Sequence, residues 1–368
     1  MRRFLPPGVL IAVTLASSPF LALARDALLK AFPSGGLKAL AAALGLSALG
    51  AIGWGLSRIE DRRALRYGGL ALAVALLVLQ RWTSRSGLAS VDIVEKVHIV
   101  QYGLLVILFY RALLPSRPLA TPAGLLLPIL WTGLAGLAEE SVQGFFQLRT
   151  GDVRDVWLNY FSGTVGLLFY LSIAPPERWS WRSPRAEWAA AGRWAAALVV
   201  AGGLFLQNAH LGHLIEDPEI GRFRSWFTAE QLERLSQDRA ERWRRDRPTG
   251  LVAWHKEDYF LTEAARHANH RNSAYSHEQW TLAWQANRIL ERHYEPFLDL
   301  DSFRNGGRHR YPPELRADLE SKAQPNPATY VSPVQSKRVL LISPLELWSA
   351  VGGVAALLLL VPVALPRP

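Results

Sequence analysis

Cysteine is absent from all 368 residues, so disulfides, thiolate catalysis and cysteine-ligated metals are excluded. The chain has no Gly-rich phosphate loop of the Walker type, which argues against nucleotide hydrolysis. It also lacks a Gly-x-Ser-x-Gly elbow, so a serine hydrolase of the α/β type has no support. There is no His-Glu-x-x-His motif, no internal repeat and no low-complexity tract. Nothing in the sequence calls for a cofactor.

Apolar residues dominate instead. Half of the chain is hydrophobic and 14 residues are tryptophan. The charge is uneven: residues 210–338 carry 20 Lys+Arg against 19 Asp+Glu, whereas the rest carries 21 against 12. A basic excess confined to the apolar part matches the positive-inside bias of membrane proteins. A nucleic-acid partner would require a basic soluble face, and the soluble part is nearly neutral.

Apolar runs occur at about 6–24, 36–57, 66–82, 93–113, 119–138, 156–174, 190–208 and 339–364. A spanning helix needs ~20 mostly apolar residues, and the charged loops between these runs favour spanning even for the shorter ones. The expected fold is all-α: a polytopic membrane protein of about eight transmembrane helices, with a mainly helical soluble domain inserted before the last. Its segments are 1–65, 66–175, 176–209 with the seventh helix, 210–338 as the soluble domain, and 339–368. The start of the chain also fits a secretory signal, with "MRR", an apolar stretch and "ALA" at 22–24; cleavage there would leave seven helices.

Orientation follows from the loops. Arg58, Arg62, Arg63 and Arg66 fall in one loop, Arg111 and Arg117 in a second, and Arg178, Arg182, Arg185 and Arg193 in a third. These loops alternate so as to share one side with both termini. Taking that side as cytoplasmic puts residues 210–338 outside the cell membrane. Trp54, Trp82, Trp157, Trp179 and Trp181 fall near helix ends, as an aromatic belt requires.

The soluble domain reads as helical. Thr228 with Gln231, and Ser276 with Gln279, have the spacing of capping boxes at helix starts. Leu232, Leu235 and Trp243 fit one apolar stripe, and Trp280, Trp284 and Asn287 share a helical spacing.

Three polar groups interrupt the apolar runs. In "EKVHIVQY", Glu95, His98 and Tyr102 lie three and four apart, on one helix face. In "EESVQ", Glu139 or Glu140 shares a face with Gln143. In "DVWLNYFSGTVG", Asp155, Asn159, Ser162 and Gly166 form one narrow stripe. On the topology above all three groups lie at the outward ends of their helices, at one depth. Ionisable groups at membrane depth cost roughly 2.5–3.5 kcal/mol each, which favours pairing. Arg149 and Arg154, in the short loop, are the nearest cations, and Gly163 and Gly166 would admit a close helix neighbour.

This combination resembles the VanZ-like family of bacterial membrane proteins. The matching positions are Glu95, Lys96, His98 and Tyr102, then Glu139, Glu140 and Gln143, then Phe145, Arg149, Asp155, Asn159 and Gly163. The resemblance covers about residues 66–175. It departs from the family at Gln147 and Leu148, where Pro-Gly is usual, and the segment 210–338 is additional to the small members. It implies a cell-envelope protein of the inner membrane. One branch of the family is associated with low-level resistance to a teicoplanin-type glycopeptide, and most members have no assigned activity.

Three readings of the polar cluster remain open. It forms a structural network, or binds a lipid headgroup or lipid-linked envelope precursor, or performs acid–base catalysis on such a lipid. In the last, His98, with an ordinary pKa of ~6.5, would act as base or acid, oriented by Glu140 or Asp155, with Arg149 holding a phosphate. A transporter would call for polar residues at mid-membrane and related halves, which the sequence does not offer. Outside the cluster, "HLGHLIED" puts His210, His213 and Glu216 at i, i+3 and i+6, a weak metal-ligand pattern if that stretch is helical. "HANHRNSAYSH" gathers histidines on an expected solvated surface.

Overall fold

The computed structural model describes residues 2–17, 20, 27, 31–32, 36–83, 89–113, 119–143, 151–246, 259–301 and 309–364. It is an all-α structure with two short strand pairs, divided into two compact units. The first comprises Met1–Glu140, Asp152–Gly203 and Ala350–Pro368; the second comprises Ser141–Gly151 and Leu204–Ser349.

The first unit holds α1 (Leu5–Ser17), α2 (Gly36–Ser57), α3 (Arg63–Thr83), α4 (Ala89–Leu113), most of α5 (Pro122–Gln143), α6 (Val153–Ile173) and most of α7 (Arg185–Ala209). Four stretches, Arg63–Gln80, Pro122–Gln143, Val153–Ile173 and Arg185–Ala209, are long and apolar enough to cross a membrane, and they mark a membrane protein. Val97–Leu113 and Pro344–Leu360 are shorter apolar helices.

Glycine sets how closely these helices pack. A Cβ on Gly166 of α6 would run into the Gly103 backbone of α4, and one on Gly163 would lie 2.9 Å from Thr132 Cγ2 of α5. The close approach expected at Gly163 and Gly166 is therefore present, with Gly103 as its unforeseen counterpart. At the far end of α6, the buried Arg66 of α3 donates from Nε to Ser172 O at 2.9 Å and from Nη2 to Ile173 O. These are among the last carbonyls of α6, which have no partner inside the helix and carry its negative end. Asp61 accepts from the same guanidinium.

The second unit opens with a hairpin, where the sequence pattern had implied a helix. Strands β3 (His213–Asp217) and β4 (Gly221–Ser225) pair antiparallel, with Ile215 opposite Phe223. The earlier pair, β1 (Leu119–Ala120) and β2 (Arg178–Trp179), is parallel. Asp217 shapes the turn: its Oδ1 accepts from the backbone N–H of Glu219 and Ile220 at 2.9 and 3.1 Å. Gly221 follows at φ +116°, and a Cβ there would lie 2.8 Å from Tyr330 O, so only glycine fits. Alternation explains the strands: Ile215, Asp217, Phe223 and Ser225 are buried while Leu214, Glu216 and Arg222 are exposed.

Helices α8 (Ala229–Arg245), α9 (Tyr259–Ser276), α10 (Trp280–His293), the short α11 (Glu295–Leu298) and α12 (Pro313–Lys322) complete this unit, with the start of α13 (Pro344–Ala364). Phe223, Leu232, Phe260, Ile289 and Phe297 meet in its core. The expected capping box at Thr228 and Gln231 is present in both directions. That at Ser276 and Gln279 is not: Ser276 ends α9, its hydroxyl donates to Ser273 O, and Gln279 makes no side-chain cap. Glu278, at φ 58°, turns the chain sharply between the helices, which is why no helix starts at Ser276.

The histidine-rich stretch is corrected in part: His277 is exposed as expected and His270 is half-buried, whereas His267 packs inward. His267 is fully buried among Phe223, Tyr294 and His293, and neither of its ring nitrogens has a hydrogen-bond partner among the described residues. Burial pushes its imidazole down to about 3, with smaller contributions from His270, His293 and Arg266. The unfolded chain takes up this proton near pH ~6.5, so the stability tied to neutral His267 is complete above that value and is lost as pH falls towards 3. His270 and His293 are lowered by burial and act in the same direction, while buried Glu263 is raised and acts against them. Amide hydrogen exchange over α9, corrected for intrinsic rates, should be faster at pH 5 than at pH 7. In His267→Phe that acceleration should shrink.

Candidate functional site

Helices α4, α5 and α6 bring part of the expected polar cluster together. His98 and Tyr102, one turn apart on α4, stack with ring centroids 6.1 Å apart and planes 5° from parallel. His98 Nδ1 donates to Asn159 Oδ1 of α6 at 2.9 Å, and the Tyr102 hydroxyl donates to Glu139 Oε2 of α5. A histidine that donates from Nδ1 keeps Nε2 as its acceptor. All four side chains are buried, Asn159 completely. Gly136 makes room for this amide: a Cβ there would lie 2.8 Å from Asn159 Cβ and 3.2 Å from the Tyr102 ring.

Asn159 Nδ2 is buried and without a hydrogen-bond partner among the described residues. A buried donor left unpaired costs about 1–3 kcal/mol, so it is a position where a ligand oxygen would be stabilising.

Glu140 has a different task. Fully buried, it accepts from the Asp152 backbone N–H at 3.1 Å, while Asp152 caps α6 by accepting from Arg154 N at 2.9 Å. Glu140 thus closes the hairpin between α5 and α6. Asp155, only partly buried, turns to Arg154 at 3.5 Å and not to His98. The sequence stripe broke there because Asp155 sits in the first turn of α6 beside Arg154. Ser162 donates back to Leu158 O, which satisfies its hydroxyl locally. Gln143 is buried at the end of α5. Glu95 lies on α4 with its side chain outside the described residues, and Arg149 also lies outside them.

One polar link had no sequence signal. Gln101 Nε2 of α4 donates to Thr14 Oγ1 of α1 at 2.6 Å, joining the first apolar run to the helix that carries His98. A single threonine in an apolar stretch does not announce such a partner.

The weak metal pattern fails on geometry. His210 lies in a turn, with Nδ1 donating to Arg338 O at 2.7 Å, while His213 and Glu216 belong to a strand, three residues apart and so on opposite faces. No group of three or more metal-ligating residues occurs among the described residues.

No protein-family model, curated protein or solved structure matches the chain.

The Tyr102 hydroxyl can be removed alone. Tyr102→Phe keeps the ring and leaves the buried Glu139 carboxylate one donor short, at a cost of about 1–3 kcal/mol. Thermal unfolding in detergent should show a lower midpoint for Tyr102→Phe, and Glu139→Gln, which still accepts from the hydroxyl, should lose less.

Proposed function

We propose that this chain is a VanZ-like, multi-pass protein of a bacterial inner membrane that holds a lipid headgroup or lipid-linked envelope precursor through its buried polar cluster. In this reading about eight helices cross the bilayer, both termini are cytoplasmic, and residues 210–338 are extracytoplasmic. Its role is ligand handling without catalysis. The observation that carries it is Asn159 Nδ2, a buried donor without a partner among the described residues, within the row formed by His98, Tyr102 and Glu139. In an apolar setting a polar row is costly to keep, and one with an open donor has capacity for an acceptor from outside the protein. The VanZ-like resemblance supports the cell-envelope setting.

Catalysis by His98 has less support, because the histidine is oriented by an amide and not by Glu140 or Asp155.

The test is mass spectrometry of lipids retained by wild-type protein and by Asn159→Leu, which removes the amide at nearly constant volume. A defined polar lipid or isoprenoid-linked species should be present in the first and lost in the second. The same unselective lipids in both preparations would make the cluster structural only. Orientation is tested separately in the cysteine-free chain. An impermeant maleimide should label Ser321→Cys and not Arg63→Cys in intact cells, and labelling of position 63 alone would invert the topology.

A further inference from the structure

The second unit contains the end of α7 and the start of α13, and it holds them together. Trp348 Nε1 donates to Gln207 Oε1, which joins the two helices side by side. Beyond the helices, Leu340 N donates to His210 O at 2.7 Å and Gly212 N to Leu340 O at 3.2 Å. Trp226 Nε1 of the core donates to Ala209 O, the end of α7, at 2.9 Å. Residues 209–214 and 338–342 are thus fixed against each other where the chain leaves one apolar helix and enters the next.

Exposed apolar side chains collect at this junction. Between 210 and 345, the exposed large hydrophobic residues among those described are Leu214, Leu315, Val331, Leu341, Ile342 and Leu345. Four of the six, Leu214, Leu341, Ile342 and Leu345, lie within five residues of Ala209 or Pro344 along the chain. Leu345 is 77% exposed in the first turn of α13. A soluble surface scatters such residues singly, whereas a grouped patch marks a contact. Chain continuity selects the contact. Strand residues advance ~3.3 Å each, so Leu341 and Ile342 stand at most about 10 Å beyond the start of α13. The headgroup region on each side of a bilayer is roughly 5–8 Å deep.

Charge fits the same partner. Arg224 lies opposite Leu214 in register, on the same outward face of the hairpin. Its Nη1 is anchored on Val339 O at 2.8 Å and Ser336 O at 3.2 Å, leaving Nε and Nη2 with no hydrogen bond among the described residues. Anchored leucines beside a guanidinium with spare donors match the layer where acyl chains meet lipid phosphates.

We propose that Leu214, Leu341, Ile342 and Leu345, with Arg224, form a collar seated in the phospholipid headgroup layer of the membrane crossed by α7 and α13. This rests on those two helices spanning, and it is independent of any ligand at Asn159. The absence of native cysteine permits single nitroxide labels at Leu214→Cys and Leu341→Cys in phospholipid vesicles, with Ser321→Cys as the water reference. Gly353→Cys, in the middle of α13 with open space around its Cβ, is the reference for the acyl region. Power saturation compares exposure to oxygen, which partitions into lipid, with exposure to a water-soluble nickel chelate.

The oxygen-to-nickel ratio at both collar sites should shift from the Ser321 value towards the Gly353 value. Ratios equal to that at Ser321, with Gly353 in lipid, would overturn the collar while leaving the helices spanning. Low exposure to both reagents at the collar would mean that protein covers it, and would overturn it equally. A water-like Gly353 would remove the membrane reading of α13, and the collar with it. Either collar site alone suffices if the other variant fails to fold.

Discussion

A carboxylate taken out of water must be given hydrogen-bond donors, and the joints of this protein are built where that requirement is met. Glu139 takes the hydroxyl of Tyr102 and so links α5 to α4. Glu140, the next residue, takes the backbone N–H of Asp152 and closes the turn into α6. In the second unit Glu263, wholly buried, takes Ser225 Oγ at 2.7 Å, Trp226 N at 2.6 Å and Tyr294 Oη at 2.5 Å. It ties α9 to the hairpin and to the end of α10. Burial pushes its carboxyl above the usual range while these three bonds pull it down. The balance describes a group retained for the elements it joins, not for net stability.

Polar rows of this kind need helices that come close, and that is where the small residues enter. Without Cβ atoms at Gly103 and Gly166, α4 and α6 approach until the short Asn159 side chain reaches His98. Gly136 opens the third side. In lipid no hydrophobic force draws helices together, so close packing and hydrogen bonds between helices have to supply the attraction. The glycines and the polar residues are therefore one device: remove the close approach and Asn159 would no longer span the gap to the imidazole.

The sequence exposes some of this and hides the rest, for physical reasons. Long apolar runs are legible as helices: α2 to α7 and α13 overlap the corresponding runs, and four stretches are long and apolar enough to cross a membrane. The capping box at Thr228 is legible because its two hydrogen bonds are local, and Thr228 and Gln231 suffice to make them. The same spacing at Ser276 misled, because a left-handed Glu278 turns the chain there. The hairpin at 213–225 lies in a segment that reads as mainly helical, although the alternation of Ile215 and Asp217, then Phe223 and Ser225, carried the strand signal. The burial of His267 was not legible, since it depends on where α9 meets Phe223 and Tyr294, residues far apart in sequence. In the cluster, helical spacing grouped Glu95, His98 and Tyr102 correctly on one helix, but it could not tell that Asp155 would turn to Arg154.

The partner of His98 separates the chemical readings more sharply than its identity does. A carboxylate on Nδ1 orients an imidazole and also offsets the positive charge it gains on taking a proton. An amide oxygen orients the ring and fixes the hydrogen on Nδ1, but supplies no charge. His98 has the second kind of partner, at 2.9 Å, in buried surroundings. The nearby carboxylates are engaged elsewhere, Glu139 with Tyr102 and Glu140 with the hairpin backbone. What the arrangement preserves is an oriented ring with Nε2 as acceptor beside an amide with a donor to spare. A donor and an acceptor held side by side, without a charge to drive proton transfer, are suited to binding a neutral polar group or one oxygen of a headgroup.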